Sequence, residues 1–248
     1  MIAARIIGHR GASSLAPENT LAAIRAAAEV GVRWVEIDAR LLGDGTPVVH
    51  HDECVDRCTD GTGPLSGYDS ATIGRLDAGS WYSHAFIGER IPLLAEALAL
   101  VRELGLGINL ELKAGDHCGA RRLAEAVLGE LSAAAMPRER VLVSSFEPAA
   151  LTSSRAQNRG LLIGCLWSRL PARWRRRAAD LGAVSVHCDW RHLTERIATA
   201  VKQAGLGLYC YTVNDPQAFL PYWGWGVDGI FTDRPQDFLG SDQAAGLE

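Results

Sequence analysis

The sequence predicts a single (β/α)8 barrel of the TIM type, with a small insertion after a β-hairpin that follows the second strand. Three observations predict this class. Eight short apolar segments read as strands, helical segments lie between most of them, and a chain of 248 residues suits one such barrel. A doubly wound open sheet is the alternative, but it usually has fewer strands and a glycine-rich first turn, which this sequence lacks.

Strand-like segments alternate with helical segments that are rich in alanine, leucine and arginine. We expect the strands at 5–9, 34–40, 107–113, 141–146, 161–167, 183–189, 207–213 and 228–232. We expect the helices at 18–30, 93–104, 119–134, 148–157, 172–181, 194–204 and 215–221. This order is typical of repeated β/α units around a parallel sheet.

One additional extended segment, 47–52, follows the second strand after a very short turn. A parallel neighbour requires a crossover of about a dozen residues or more, so this segment is expected to return antiparallel as a hairpin. If Leu42 lies opposite Pro47, then His51 lies opposite Asp38, within one residue of register. The hairpin therefore brings a histidine to the second strand.

The segment 53–92 has no strong periodicity and is rich in glycine, aspartate, serine and threonine. Irregular stretches of this length are uncommon in compact folds unless they serve a site. We expect an insertion that caps the barrel mouth, within one catalytic domain that spans residues 1–248. The sequence shows neither an internal repeat nor an interdomain linker.

Composition bears on the compartment and the partners. The net charge of −4 and the pI near 6.0 give no reason to expect nucleic acid, and no apolar run approaches the ~20 residues that span a bilayer. The first apolar stretch is too short for a signal peptide, so a cytoplasmic location is expected.

The six cysteines form no CxxC pair and are expected to be reduced. Residues 240–248 are expected to form a loose tail. The oligomeric state stays open, a homo-oligomer included.

Three carboxylates occur in the second and third central strands. Glu36 and Asp38 are two residues apart on one strand, so both side chains point to the same face, and Glu111 lies in the next strand. Buried carboxylates require a partner or a metal. The arrangement predicts an oxygen-only site for Mg²⁺ or Ca²⁺ rather than zinc. The alternative is a set of core ion pairs, such as Lys113 with Glu36, but such pairs seldom stabilise enough to recur without a function.

Two histidines and two basic residues complete this group. His9 ends the first strand, at the face where barrel active sites form, and His51 arrives through the hairpin. Imidazoles transfer protons near neutral pH, so the pair predicts acid/base catalysis. Arg10 can bind a phosphate through its planar fork, and Lys113 adds a second positive charge. His50 is expected to point away from His51, toward packing or the surface. The combination indicates metal-assisted phosphoester chemistry.

The ordered set of these phrases resembles the glycerophosphodiester phosphodiesterase family from about residue 7 to 235. The resemblance implies a TIM barrel with a small insertion and hydrolysis of glycerophosphodiesters, such as glycerophosphocholine or glycerophosphoethanolamine, to glycerol 3-phosphate and an alcohol. The phrases that carry it are His9-Arg10-Gly11-Ala12, Pro17-Glu18-Asn19-Thr20, Glu36-x-Asp38, His51-Asp52, Asn109-Leu110-Glu111-Leu112-Lys113, Ser144-Ser145-Phe146, Thr212-Val213-Asn214 and Asp228-Gly229-Ile230-x-Thr232-Asp233.

By position, the resemblance implies that Glu36, Asp38 and Glu111 bind the divalent cation and that His9 and His51 are the acid/base pair. We favour His51 as the base and His9 as the acid. Either water or the 2-hydroxyl of the substrate can be the nucleophile at this level of inference.

The resemblance also implies that Arg10 and Lys113 contact the phosphate. In one departure from the family pattern, Tyr211 stands before Thr-Val-Asn where the family usually has tryptophan. An aromatic wall for the glycerol or the alcohol is still expected there, with Phe146 and Trp167 as further candidates.

Two other functions are weighed against this one. A phospholipase D-like enzyme that acts on lysophospholipids requires a route for an acyl chain, for example through Trp81, Tyr82 and Phe86 of the insertion. A non-catalytic barrel that only binds phosphodiesters is expected to lack a histidine or a carboxylate, and this chain has all of them.

Overall fold

A closed barrel of eight parallel strands forms the centre of the molecule, so the predicted fold class is confirmed. The computed structural model describes residues 2, 4–115 and 117–239, and the expected tail at 240–248 lies outside these ranges. The strands run in the order β1 (Ile6–His9), β9 (Gly229–Thr232), β8 (Gly207–Tyr211), β7 (Ser185–Asp189), β6 (Leu162–Trp167), β5 (Val141–Ser145), β4 (Gly107–Leu112) and β2 (Trp34–Leu41), with β3 (Pro47–Val49) beside β2. The barrel closes by pairing of β1 with β2. All eight predicted barrel strands are present, with ends that differ from the expected ones by a few residues. The additional strand β3 pairs antiparallel with β2, as the hairpin prediction requires.

All seven predicted helices are present, and two helices of four residues each, α2 and α9, were not expected because they are too short to show a periodicity. The helices are α1 (Leu21–Glu29), α2 (Ser70–Ile73), α3 (Leu94–Glu103), α4 (His117–Ala133), α5 (Pro148–Gln157), α6 (Trp174–Leu181), α7 (Glu195–Gln203), α8 (Pro216–Trp223) and α9 (Gln236–Leu239). Within the ranges that the structure describes, no helix is long and apolar enough to cross a membrane.

The amino-terminal end of the barrel is filled by large side chains. Trp34, Leu142, Tyr209 and Phe231 pack together there, and the Tyr209 hydroxyl donates a hydrogen bond of 2.8 Å to the carbonyl of Ile2. The Trp34 ring lies so close to the Gly107 backbone, on the neighbouring strand, that a Cβ atom there would overlap it. The barrel is therefore a packed core at this end, and its polar side chains gather at the opposite end.

The hairpin register is shifted by one residue from the pairing of Leu42 with Pro47. Leu41 lies opposite Pro47, and the His50 amide donates a hydrogen bond of 3.0 Å to the carbonyl of Asp38. The shift stays within the predicted tolerance of one residue. The Leu42 amide donates to the carbonyl of Thr46 in the same register, so the turn closes over the three residues 43–45 instead of four.

The irregular segment 53–92 packs a small apolar core of its own against the hairpin. The buried side chains of this core are Leu42, Val48, Val55, Leu65, Ile73, Ala78 and Ile91. Its role as a cap over the barrel mouth stays a prediction. All six cysteines are free thiols, as expected.

Candidate active site

A pocket of about 290 Å³ opens at the carboxyl ends of the barrel strands, where active sites of this fold form. The predicted site residues that line it are His9, Arg10, Glu36, His51, Glu111, Lys113, Phe146 and Tyr211. The ninth predicted residue, Asp38, lies buried directly beside Lys113. The structure thus brings the predicted set together.

The three carboxylates converge on one point. Strand register places Asp38 beside Glu111, and Glu36 lies beside His9 on the other neighbouring strand. Glu36, Asp38 and Glu111 are all buried, and each offers one oxygen within 4.8 Å of the others. Within the described part of the chain, Glu36 Oε1 has no hydrogen-bond partner. A buried, unpartnered oxygen in an all-oxygen donor set fits a hard divalent cation.

The electrostatics of the cluster support the same interpretation. Burial, reinforced by the charges of Asp38 and Glu111, raises the pKa of Glu36 well above its ordinary value. Burial and the charge of Asp38 likewise raise the pKa of Glu111 to about 7. For Asp38, burial is outweighed by Lys113 and Arg10, which lower the pKa to about 2. Three carboxylates this close therefore repel one another, and a cation among them would relieve the repulsion.

Lys113 and Arg10 approach the carboxylates from two sides. The Lys113 Nζ atom is 2.5 Å from Glu111 Oε1 and 3.4 Å from Asp38 Oδ1. Burial alone would lower the pKa of Lys113, but these two charges outweigh it and raise the pKa, so the ammonium is retained. The Arg10 Nε atom lies 3.5 Å from Asp38 Oδ2.

The backbone of Arg10 is held in a strained conformation. Its φ of 56° is in the left-handed region, which few non-glycine residues adopt, and its amide donates a hydrogen bond of 3.1 Å to Glu36 Oε2. The same turn directs the guanidinium to Glu18, whose Oε1 accepts a hydrogen bond of 2.7 Å from Arg10 Nη1. This left-handed turn therefore places a basic side chain at the pocket.

His9 is oriented by a carboxylate that directly follows the last barrel strand. Its Nδ1 atom is 2.7 Å from Asp233 Oδ1, and its Nε2 atom is 3.8 Å from Glu36 Oε2. Asp233 also accepts hydrogen bonds from Ser13 Oγ at 2.9 Å and Asn214 Nδ2 at 2.6 Å. Burial opposes ionisation of Asp233, but the bonds from His9, Asn214 and Ser13 keep its pKa below the ordinary range. The second ring nitrogen of His9 is left facing the pocket.

His51 is oriented in the same way by a different carboxylate. Its Nδ1 atom is 2.6 Å from Asp52 Oδ1, and Asp52 Oδ2 accepts a hydrogen bond of 2.6 Å from Arg57 Nε. The two terminal nitrogens of Arg57 donate to Glu18 at 2.9 and 2.7 Å. Because Glu18 also binds Arg10, a continuous chain of ion pairs joins the second histidine to that arginine. Burial lowers the pKa of His51, which favours the neutral ring.

Phe146 and Tyr211 line the pocket, whereas His50 and Trp167 pack away from it. His50 is buried and its Nε2 atom is 3.1 Å from the carbonyl of Cys54, so it packs away from the pocket as predicted. Phe146 and Tyr211 meet edge to face, with ring centroids 5.8 Å apart, and form one wall. Trp167 packs on the outer side of the barrel, because Leu166 is the inward residue of that strand.

Several contributors were not predicted as site residues. Asp233, Asn214, Asp52 and Glu18 all stand inside the quoted phrases, but their roles depend on contacts between distant parts of the chain. Arg57 lies in the irregular segment, where periodicity gives no signal. Two further polar residues lie below or behind the pocket. Asn19 donates to Asp38 Oδ2 at 2.8 Å, and His187 lines the pocket floor.

A closed (β/α)8 barrel with this arrangement of carboxylates, bases and oriented histidines at its mouth is that of a phosphoric diester hydrolase. A sequence profile described as the glycerophosphoryl diester phosphodiesterase family matches residues 9–237. The chain therefore belongs to the glycerophosphodiester phosphodiesterase family. The family membership predicted from the sequence is confirmed.

Individual relatives match this chain over nearly its full length. A glycerophosphodiester phosphodiesterase of Caldanaerobacter subterraneus subsp. tengcongensis is 34% identical over 237 residues, which cover 94% of this chain and 96% of that protein. A phosphodiesterase of Oleispira antarctica, solved in complex with the product sn-glycerol-3-phosphate, superposes with a TM-score of 0.92 at 35% identity, covering 98% of this chain and 97% of that one. A putative glycerophosphoryl diester phosphodiesterase of Silicibacter pomeroyi superposes with a TM-score of 0.85 at 28% identity, covering 97% and 94%.

Proposed function

We propose that the protein hydrolyses small glycerophosphodiesters, such as glycerophosphocholine or glycerophosphoethanolamine, to glycerol 3-phosphate and the free alcohol, with the aid of a divalent cation and the pair His9 and His51. The observation that carries the proposal is the convergence of three buried carboxylates and two carboxylate-oriented histidines on one pocket. The product bound to the Oleispira antarctica relative supports glycerol 3-phosphate as the part of the substrate held there.

Glu36, Asp38 and Glu111 are the proposed ligands of the cation, either Mg²⁺ or Ca²⁺, since all their donors are oxygens. When bound, the cation supplies Lewis-acid stabilisation of the charge that develops on the phosphoryl oxygens. Arg10 and Lys113 supply fixed positive charge for the same oxygens. Both side chains are now paired with carboxylates, and an anionic substrate offers them an additional partner.

The two histidines move the protons. His51, in its neutral form, accepts the proton of the nucleophile, which is water or the neighbouring hydroxyl of the glycerol. His9, in its protonated form, donates a proton to the departing alkoxide. In both rings Nδ1 is bound to a carboxylate, so Nε2 is the atom that exchanges protons with the substrate.

The aromatic residues of the insertion do not favour action on lysophospholipids. Trp81, Tyr82 and Phe86 pack edge to face on one another, and none of them lines the pocket. Phe146 and Tyr211 are the proposed wall for the substrate instead.

The test measures release of glycerol 3-phosphate from glycerophosphocholine and glycerophosphoethanolamine by the purified protein. We expect release to stop in EDTA and to return with Mg²⁺, Ca²⁺ or Mn²⁺. Glu36→Gln, which keeps the shape of the side chain, should lower both the activity and the affinity for the cation. Glu125→Gln, an exposed carboxylate on α4, is the matched control. Full activity in EDTA would refute the cation site.

A further inference from the structure

A second cavity, of about 530 Å³, adjoins the catalytic pocket and is not used in the proposed mechanism. We call it the polar groove. It is more open to solvent than the catalytic pocket, and the two share three lining residues, His9, Arg10 and Thr212. The ring of His9 faces both, because Nδ1 is bound to Asp233 on the groove side while Nε2 is near Glu36 on the pocket side. The proposed acid therefore stands at the junction.

A phosphodiester that is bound at this junction has one half in each of the two cavities. Glu36, Glu111 and Lys113 line the less open catalytic pocket, which suits the glycerol phosphate half that all substrates share. Arg10 and Thr212 line both cavities, so a diester whose phosphate lies at Arg10 can extend from the pocket into the polar groove with its second half, the leaving alcohol.

Three side chains along the groove can donate hydrogen bonds to a ligand. Ser14 Oγ accepts a bond of 3.1 Å from Gln236 and can donate its own hydrogen to a ligand. Asn214 donates one amide hydrogen to Asp233 and carries a second. Among the described residues, the Arg234 side chain is bonded to Asp237 through Nε, at 2.5 Å, which leaves its terminal nitrogens available to a ligand.

The charge and the aromatic content of the groove disfavour a quaternary ammonium. Its two carboxylates are already compensated, Glu18 by Arg10 and Arg57, and Asp233 by His9. Among the described residues that line the groove, His9 is the only one with an aromatic ring, whereas choline is usually bound by several.

We infer that the polar groove is the subsite for the leaving alcohol and that it selects a polyol, such as glycerol or inositol, over choline. The selection comes from donors that Ser14, Asn214 and Arg234 offer to hydroxyl oxygens. This inference rests on the proposed function and adds the class of alcohol to it.

The experiment compares kcat/KM for glycerophosphoglycerol, glycerophosphoinositol and glycerophosphocholine in the full-length protein with Mg²⁺. We expect the two polyol diesters to be preferred. Ser14→Ala and Arg234→Gln should each lower kcat/KM for the polyol diesters by about three- to tenfold, the effect of one lost hydrogen bond, and change the value for glycerophosphocholine by less than about twofold. Ser14→Thr, which keeps the hydroxyl, should retain the preference.

Arg169→Gln is the matched control, because Arg169 is an exposed arginine outside the groove. Equal losses on all three diesters in the Ser14 and Arg234 variants, or a preference of the unaltered protein for glycerophosphocholine, would overturn the subsite. Release of no glycerol 3-phosphate from any diester would instead refute the phosphodiesterase proposal itself, and the subsite with it.

Discussion

The two histidines of the site meet the same chemical requirement in two different regions of the molecule. His9 is held by Asp233, which directly follows β9, the strand that pairs with β1 inside the closed barrel. His51 is held by the next residue in the sequence, Asp52, which depends in turn on Arg57 from the irregular segment. One histidine is thus oriented by the barrel and the other by a surface segment.

The difference lies in what fixes each carboxylate. Asp233 is bound by two further side chains, Ser13 and Asn214, in addition to His9. Asp52 is bound by Arg57, whose side chain is 46% exposed. The barrel fixes the proposed proton donor, His9, whereas the surface segment couples His51 to Glu18 and so to Arg10, the proposed phosphate ligand.

The largest effect is expected from removal of either imidazole. His9→Ala and His51→Ala should each lower kcat by about 100- to 10,000-fold, because each removes one proton-transfer group. His84→Ala, an exposed histidine of the insertion, is the control. If either variant kept more than about a tenth of the turnover, that histidine would not be the proposed acid or base.

The next largest effect is expected at the barrel-held carboxylate. Asp233→Asn keeps the shape of the side chain but removes the charge that orients His9, so kcat should fall by about 10- to 100-fold. Steady-state kinetics with a folded-state check by circular dichroism measures this. An unchanged kcat would show that Asp233 serves the fold and not His9.

A smaller effect is expected at the segment-held side. Arg57→Gln releases Asp52 and Glu18 together. We expect kcat to fall by about tenfold and KM to rise, because Arg10, the proposed phosphate ligand, loses its alignment. Stability should change by less than about 1 kcal/mol, since Arg57 is a surface ion-pair partner. Arg75→Gln, another exposed arginine of the same segment, is the control. Equal kinetics in both variants would contradict the coupling.

The smallest effect concerns a third histidine that the barrel uses for packing. His187 is fully buried against Tyr209 and Phe231, and burial lowers its pKa to about 3. The unfolded chain binds this proton near pH 6.5 and the folded chain does not, so stability is lost as the pH falls from 6.5 toward 3, by at most about 1.4 kcal/mol per pH unit. Unfolding in urea between pH 7 and 4.5 should show a shallower pH dependence in His187→Gln. An unchanged dependence would contradict a neutral buried ring.

The sequence predicts which carboxylates and histidines meet at the site better than it predicts the residues that orient the two histidines. Alternation along one strand places Glu36 and Asp38 on a common face, and the short turn requires His51 to return toward them. Asp233 is 224 residues from His9, so their contact depends on closure of the barrel, which no local pattern reports. Arg57 lies in a segment without periodicity, and its role depends on ion pairs that only the packed structure brings together.

His9 and His51 are proposed to have different chemical roles, and a change of leaving group separates the two roles. Nitrophenoxide leaves without protonation, so a glycerophospho-nitrophenyl diester bypasses the acid but still requires the base. The measurement is kcat for His9→Ala and His51→Ala on this diester and on glycerophosphoglycerol. We expect His9→Ala to recover most of the lost kcat on the nitrophenyl diester, whereas His51→Ala should not recover it. Equal losses on both diesters in both variants would contradict it.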